Sequence, residues 1–198
     1  ILRLIAGVDE VGRGPLAGPV LACALILPED HSIEGLKDSK KLSKKRREDL
    51  YQIICRKAIT IGIGESDVEN IDKLNIREAT FRAMKNALKK LNPKPDKALI
   101  DGEYIKNFFI PNEGIIGGDR KIDLIMAASI VAKVTRDQLM NRYSKIFYEY
   151  GFETNSGYGT KFHIKALEKY KATPIHRKSF NPVANQMPSF NWIIENDK

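Results

Sequence analysis

A short apolar run near the start of the chain ends in two adjacent carboxylates, Asp9 and Glu10, and a Gly-Arg-Gly-Pro segment follows at residues 12–15. The apolar run predicts a buried strand, whereas acidic side chains normally lie on the solvated surface. Adjacent side chains of a regular strand point to opposite faces, so we expect the strand to end or bulge at this pair. Both carboxylates then reach one site, which favours a hard divalent cation and the phosphate that such an ion holds.

Two more acidic residues follow apolar runs that predict strands. Asp101 comes directly after residues 98–100, and Asp119 comes shortly after residues 115–116. Because ligands of open α/β sheets gather at the carboxyl ends of strands, we expect these acids to lie beside the first pair. Like charges this close repel each other unless a cation binds or some carboxyls stay protonated. The sequence therefore predicts a site for Mg²⁺ or Mn²⁺, where two ions sharing one acid cluster act on a phosphodiester.

The order of the predicted elements, β-β-α-β-α-β-β-α and then a helical tail, indicates an α/β sheet with helices on its faces. Strands are predicted at 3–9, 19–27, 58–64, 98–100 and 115–116, and helices at 44–56, 122–147 and 161–171. A capping box of Ser66 and Glu69 predicts the start of one further helix, which stops before Pro93. We divide the chain into a catalytic domain, residues 1–150, and a C-terminal helical and loop segment, residues 151–198.

The charge of the chain favours an anionic partner. Lys and Arg outnumber Asp and Glu by 33 to 25, and basic residues crowd residues 37–47 and 161–178. These two basic segments together with the predicted acid cluster suggest a channel that binds phosphates beside a metal. No apolar run is long enough for a membrane span, no signal segment opens the chain, and Cys23 and Cys55 lie in apolar surroundings. We expect reduced cysteines, a cytoplasmic location and no membrane partner.

The same glycine segment also fits a second function. Gly12-x-Gly14-x-x-Ala17 matches the dinucleotide fingerprint and would make the chain an oxidoreductase. The fingerprint must open a helix, but Pro15 and Pro19 precede a run that predicts a strand, and the nearby carboxylates would repel a pyrophosphate. A nucleic-acid-binding module without chemistry is a third hypothesis, and the complete set of acids argues against it.

Four other residues are weaker candidates. Ser129 lies on a face of small residues, where packing is the more common role. His163 and His176 lie in the basic tail, where contact with phosphate or with the acids competes with an ordinary structural role. Tyr158 stands between two glycines, where an exposed ring would stack on a sugar or base and a buried ring would only fill a loop.

Seven motifs resemble those of ribonuclease HII, and they run in the family's order over nearly the whole chain. They are GVDEVGRGPLAGPV at 7–20, DSKKLS at 38–43, IDG at 100–102, GD at 118–119, AASIVAKVTRD at 127–137, GYGT at 157–160 and HRKSF at 176–180. The resemblance implies the ribonuclease H-like fold, a mixed five-stranded sheet flanked by helices, with a C-terminal helical segment that packs on the substrate channel. The sister family, ribonuclease HIII, has an extra N-terminal domain and lacks arginine in the glycine turn, and by the resemblance to ribonuclease HII we expect neither feature in this protein.

The resemblance also implies the reaction. The chain is expected to hydrolyse the RNA strand of RNA–DNA hybrids and to cut on the 5′ side of single ribonucleotides embedded in duplex DNA, which leaves 3′-hydroxyl and 5′-phosphate ends. It is expected to act as a monomer, and the sequence assigns no contact with a sliding clamp.

By the same resemblance, each candidate residue receives a role. Four acids are expected to be catalytic and to bind metal, with the first bridging two ions: Asp9, Glu10, Asp101 and Asp119. The turn Gly12-Arg13-Gly14 matches the segment whose backbone senses the 2′-hydroxyl. Tyr158 matches a tyrosine that stacks on the sugar of the next deoxynucleotide, and Ser39 and Lys40 resemble phosphate contacts.

Overall fold

A mixed five-stranded sheet forms the centre of the protein. The computed structural model describes residues 3–36 and 42–189 of the chain. The strands are β1 (Ile5–Val11), β2 (Val20–Ile26), β3 (Thr60–Ser66), β4 (Lys97–Asp101) and β5 (Asn112–Ile115). Their order across the sheet is β3-β2-β1-β4-β5, with β1 antiparallel to β2 and parallel to β4. The mixed five-stranded sheet that the resemblance implied is confirmed.

Six α-helices accompany the sheet in the described part of the chain. They are α1 (Lys44–Lys57), α2 (Val68–Leu74), α3 (Ile76–Lys89), α4 (Asp123–Ser144), α5 (Phe152–Asn155) and α6 (Lys161–Tyr170). The single helix predicted after β3 is wrong, because Asn75 adopts a left-handed conformation (φ 75°) that ends α2 and caps α3. The predicted capping box is also wrong, since Ser66 closes β3 and the side chain of Asp67 caps α2.

Helices cover both faces of the sheet. Every residue of β2 is buried, and alternate side chains of this strand enter two separate apolar clusters. Ala24 packs towards α3 on one face, and Leu25 packs towards α1 and α4 on the other. Helix α4 lies so close to β1 that a Cβ added to Gly7 would stand 2.3 Å from the backbone carbon of Leu124. This contact fixes the distance of α4 from the acidic end of β1.

The chain after residue 150 packs on the loop between β1 and β2, residues 12–19. The Leu16 amide donates to the Gly157 carbonyl at 2.8 Å, and the Gly18 amide donates to the Ile175 carbonyl at 2.8 Å. Asp72 of α2 accepts hydrogen bonds from the amides of Lys178 and Ser179. The C-terminal segment therefore contacts the loop that carries the glycine turn. No helix in the two described ranges is long and apolar enough to cross a membrane.

Candidate active site

Three of the four predicted acids meet at the end of β1. Oxygen atoms of the Asp9, Glu10 and Asp101 carboxylates lie within 4.8 Å of one another. The pairing of β1 with β4 joins Val8 to Ile100, so Asp9 and Asp101 follow at the adjoining ends of two parallel strands. The sheet topology, rather than any sequence neighbourhood, brings Asp101 to the first pair.

The expected end or bulge of β1 at the acidic pair is wrong. The register with β2 stays regular through Asp9, Glu10 and Val11, opposite Cys23, Ala22 and Leu21. Pairing with β4, by contrast, stops at Val8. The Glu10 amide donates to Asp9 Oδ1 at 2.8 Å, which turns the Asp9 carboxylate along the strand towards its neighbour. The Asp9 and Glu10 side chains, which start from opposite faces of β1, thus approach each other just beyond the point where β1 and β4 stop pairing.

Asp119 lies beside this group, not within it. It belongs to a 3₁₀ turn, Gly118–Arg120, that follows β5. The Asp119 amide donates to Asp101 Oδ1 at 3.2 Å, and the Asp119 carboxylate lies 3.9 Å from Arg120 Nε. Its carboxylate is not one of the three whose oxygens all lie within 4.8 Å of one another. The structure therefore ties Asp119 to the cluster through its backbone.

Burial makes the charged form of these acids unfavourable. Burial, and then the charge of Glu10, raises the pKa of Asp9 well above its ordinary value, while a hydrogen bond from the Ser129 hydroxyl lowers it. Burial also raises the pKa of Glu10, and the Arg13 guanidinium opposes that rise. Within the described residues, Glu10 Oε2 is buried and has no hydrogen-bond partner. An unsatisfied carboxylate oxygen among crowded acids is the environment that a cation relieves.

The donor set fits a divalent ion of the hard class. Carboxylate oxygens are the ligands that Mg²⁺ and Mn²⁺ prefer, and the Asp9, Glu10 and Asp101 carboxylates offer three of them close together. Ser129, which sequence reasoning assigned to packing, contacts this site through Asp9. Ser129 lies in α4, which packs on β1. The sequence gave no sign of its contact with Asp9, because the contact depends on how the helix packs on the sheet.

The glycine turn rests on two buried arginines. Gly12 has φ +89°, and a Cβ added there would lie 2.2 Å from Arg136 Nε. Arg177 donates from Nη1 to the Arg13 carbonyl at 2.8 Å and from Nη2 to the Gly12 carbonyl. Sequence reasoning counted Arg177 among the basic residues that flank a channel for phosphates, but both arginines are at most 1% exposed. The Arg13 side chain is 52% exposed and lies 3.5 Å from Glu10 Oε1.

Tyr158 lies against the same turn. Its side chain is exposed, and its Cε1 atom stands 3.5 Å from where a Cβ of Gly14 would be. The Tyr158 carbonyl lies 2.9 Å from His163 Nδ1. The choice between an exposed and a buried tyrosine is therefore decided in favour of exposure.

The two histidines of the tail form a buried pair behind Tyr158. His163 Nε2 lies 3.0 Å from His176 Nε2, and the Thr173 amide donates to His176 Nδ1. His176 then holds its proton on Nε2 and donates to His163, whose Nδ1 donates to the Tyr158 carbonyl. Burial lowers the pKa of His163, and burial with the charge of His163 lowers the pKa of His176 to about 3. Both are fully buried and neutral, so the ordinary structural role is confirmed.

Ser39 and Lys40 lie outside the described residues. The helix that follows them, α1, begins with the Ser43 side chain accepting a hydrogen bond from the Arg46 amide. The dinucleotide hypothesis is wrong, because the loop after the glycine turn leads into β2 and no helix starts at Gly12.

Comparison with known proteins agrees with this geometry. The sequence profile described as ribonuclease HII matches residues 6–183. The ribonuclease HII of Enterococcus faecalis is 52% identical over 185 residues, which cover 93% of this chain and 72% of that protein. The chain belongs to the ribonuclease HII family. It is an endonuclease of the class that hydrolyses RNA in RNA–DNA hybrids, which excludes a binding module without chemistry.

Two solved structures show the same fold. Ribonuclease H2 of Pyrococcus horikoshii OT3 superposes with a TM-score of 0.77 at 26% identity, over 92% of this chain and 96% of that one. Bst-RNase HIII, determined in complex with Mn²⁺, gives a TM-score of 0.73 at 14% identity, over 99% of this chain and 71% of that one. Ribonucleases of this family use divalent metal ions, and the Asp9, Glu10 and Asp101 cluster has the donors for one.

Proposed function

We propose that this ribonuclease HII cuts on the 5′ side of a single ribonucleotide embedded in duplex DNA, as well as within longer RNA–DNA hybrids. Cleavage there leaves a 3′-hydroxyl and a 5′-phosphate. The observation that carries the proposal is the position of the exposed Tyr158 ring, whose Cε1 atom lies 3.5 Å from the point that a Cβ of Gly14 would occupy, at the turn beside the acid cluster. One surface thus offers the backbone of the glycine turn to the ribose and the Tyr158 ring to the neighbouring sugar.

The acids are proposed as the metal-binding residues. Asp9, Glu10 and Asp101 would hold Mg²⁺ or Mn²⁺ directly, and Asp119 would join them at the side of Asp101. Ions held by these residues would activate a water molecule for attack and would stabilise the leaving oxygen of the phosphodiester. Ser129 orients the Asp9 carboxylate by its hydrogen bond, and Arg13, which is half exposed beside Glu10, is placed to contact a backbone phosphate.

The backbone of the turn is proposed to read the 2′-hydroxyl. The carbonyl groups of Gly12 and Arg13 point inward to Arg177. A peptide carbonyl and the amide N–H that follows it point in opposite directions across their shared plane. The amides of Arg13 and Gly14 therefore face away from Arg177, where they can donate to a ribose oxygen that DNA lacks.

The C-terminal segment is proposed to form one wall of the substrate channel. Its loop at Tyr158 and the loop at residues 12–19 are joined by the Leu16–Gly157 hydrogen bond. The division at residue 150, the monomeric state, the cytoplasmic location and the phosphate contacts of Ser39 and Lys40 stay predictions.

The deciding experiment compares three duplexes of one sequence: all DNA, DNA with a single ribonucleotide, and a full RNA–DNA hybrid. We expect Mg²⁺- or Mn²⁺-dependent cutting of the second and third, with the cut of the second immediately 5′ of the ribonucleotide. The all-DNA duplex should stay intact, and a chelator should stop all cutting. Cutting of the hybrid alone would contradict the proposal while leaving the family assignment intact.

Replacing Tyr158 by alanine should separate the two substrates. Loss of one stacked ring lowers kcat/KM for the single-ribonucleotide duplex by roughly ten- to a hundredfold, and the loss on a long hybrid should be clearly smaller. Tyr158→Phe keeps the ring and should retain most activity. Tyr148→Ala, which removes an exposed tyrosine from the turn just before the C-terminal segment, is the matched control. An equal loss on both substrates would refute a role of Tyr158 at the junction.

A further inference from the structure

Two buried guanidinium groups lie beneath the glycine turn, and both bind backbone carbonyls. Arg136 comes from the middle of α4, and Arg177 comes from the C-terminal segment. The six carbonyl acceptors are those of Ala17, Pro19 and Ser156 for Arg136, and Gly12, Arg13 and Gly18 for Arg177. Among the described residues, neither guanidinium forms a salt bridge within 4 Å. This is an unusual use of arginine, because buried charges are normally paired with an opposite charge.

The contacts of Arg136 join the two loops that the proposed function assigns to substrate recognition. Its Nη2 donates to the Ala17 carbonyl at 3.1 Å, in the loop that begins with the turn. Its Nη1 donates to the Ser156 carbonyl at 2.7 Å, two residues before Tyr158. The Nε, Cδ and Cζ atoms of the same side chain leave no space for a Cβ on Gly12. One side chain thus fixes the spacing between the turn and the Tyr158 loop.

The contacts of Arg177 set the direction of the peptide groups in the turn. It binds the consecutive carbonyls of Gly12 and Arg13 with two nitrogens of one rigid fork. Holding both carbonyls inward keeps the next two amides outward. Burial, and then the Arg136 charge, lowers the pKa of Arg177 to about 9, so the group is still a cation at neutral pH. A buried positive charge behind outward amides strengthens their attraction for an oxygen acceptor.

We propose that Arg136 and Arg177 are positioning residues for ribonucleotide selectivity: they hold the glycine turn and the Tyr158 loop as one recognition surface and keep two turn amides aimed at the 2′-hydroxyl. The inference rests on the proposed function. It assigns the selectivity to interactions beneath the surface that touch neither the substrate nor the metal. If the two arginines only stabilised the fold, substitutions of Arg136 or Arg177 would lower the affinity for every duplex by the same factor.

The test uses Arg177→Lys, which keeps the charge but cannot span two carbonyls as a planar fork. Binding is measured in the Asp9→Asn background, where we expect no cleavage, with Mg²⁺ present. The two ligands are a duplex with one ribonucleotide and the same duplex in all-DNA form. We expect Arg177→Lys to reduce the preference for the ribonucleotide duplex by roughly tenfold, as for one or two displaced hydrogen bonds, while affinity for the DNA duplex stays unchanged. Arg142→Lys, on the exposed side of α4, is the matched control.

Chemical rescue of a second variant keeps the test decisive if Arg177→Lys folds poorly. Arg177→Ala should lose the preference, and free guanidinium at a non-denaturing concentration should restore it, whereas the same concentration of ammonium should not. Near-UV circular dichroism reports whether the fold is kept. An unchanged preference in Arg177→Lys, equal losses for both duplexes, or rescue by ammonium would overturn the inference and leave the proposed function standing. An Asp9→Asn protein without any preference, combined with a wild type that does not cut at the ribonucleotide, would overturn both.

Discussion

Asp9→Asn should abolish cleavage and at the same time raise the melting temperature of the metal-free protein. Asp9 is 5% exposed and crowded by Glu10 and Asp101, so its charge is unfavourable without a cation. Asparagine keeps an oxygen that accepts the Glu10 amide and removes the charge. A gain of about 1 kcal/mol raises the melting temperature of a chain of this size by roughly 2–4 °C. Loss of one of the charges proposed to bind metal should lower kcat by at least roughly a thousandfold, which leaves no detectable cleavage.

The pH dependence of this gain checks its cause. Because the pKa of Asp9 is raised in the folded protein, the native state binds a proton more readily than the unfolded chain, and the wild type gains stability as the pH falls. The difference between Asp9→Asn and the wild type should therefore be largest at neutral pH and shrink in acid. Thermal melts in chelator across this range measure it. Asp49→Asn, at an exposed site on α1, should change neither stability nor cleavage. A lower melting temperature for metal-free Asp9→Asn would contradict the clustering of the acids.

Gly12→Ala should destabilise the fold and inactivate the enzyme. The new Cβ would lie 2.2 Å from Arg136 Nε at a residue with φ +89°, so both the conformation and the contact are unfavourable. Backbone strain and overpacking together lower the free energy of unfolding by about 2–4 kcal/mol. Any relief requires Arg136 to move, which shifts the turn from the acid cluster. Urea unfolding and hybrid cleavage measure the two effects.

Gly14→Ala is the matched control, two residues away in the same turn. Its Cβ would meet only the Tyr158 ring, at an ordinary contact distance of 3.5 Å, and Gly14 has no positive φ. We expect its free energy of unfolding to stay within about 0.5–1 kcal/mol of the wild type. A Gly12→Ala protein as stable as Gly14→Ala would show that the turn adapts without Arg136.

Apart from the helix divided at Asn75, the order of elements and the strand ends that carry the acids followed from the sequence, because both depend on local signals. Short apolar runs marked the strands, and acids at the carboxyl ends of three of them indicated a common edge of the sheet. Asn75 shows the limit of such signals. The apolar pattern continues across it, yet its left-handed conformation divides one predicted helix into α2 and α3.

The sequence alone determined the acidic edge of the sheet, since strand ends and charge are properties of short segments. Only the tertiary structure decided which side chains meet at this edge and which of them are exposed or buried. It brought Asp101 into contact with the first pair, left the Asp119 carboxylate beside the group, and exposed Tyr158 at the glycine turn. It also buried Arg136 and Arg177 beneath that turn. The physical reason is the distance along the chain: Arg136 and Arg177 donate to carbonyls that lie more than a hundred residues away in sequence. These carbonyls come within reach only after α4 and the C-terminal segment have packed.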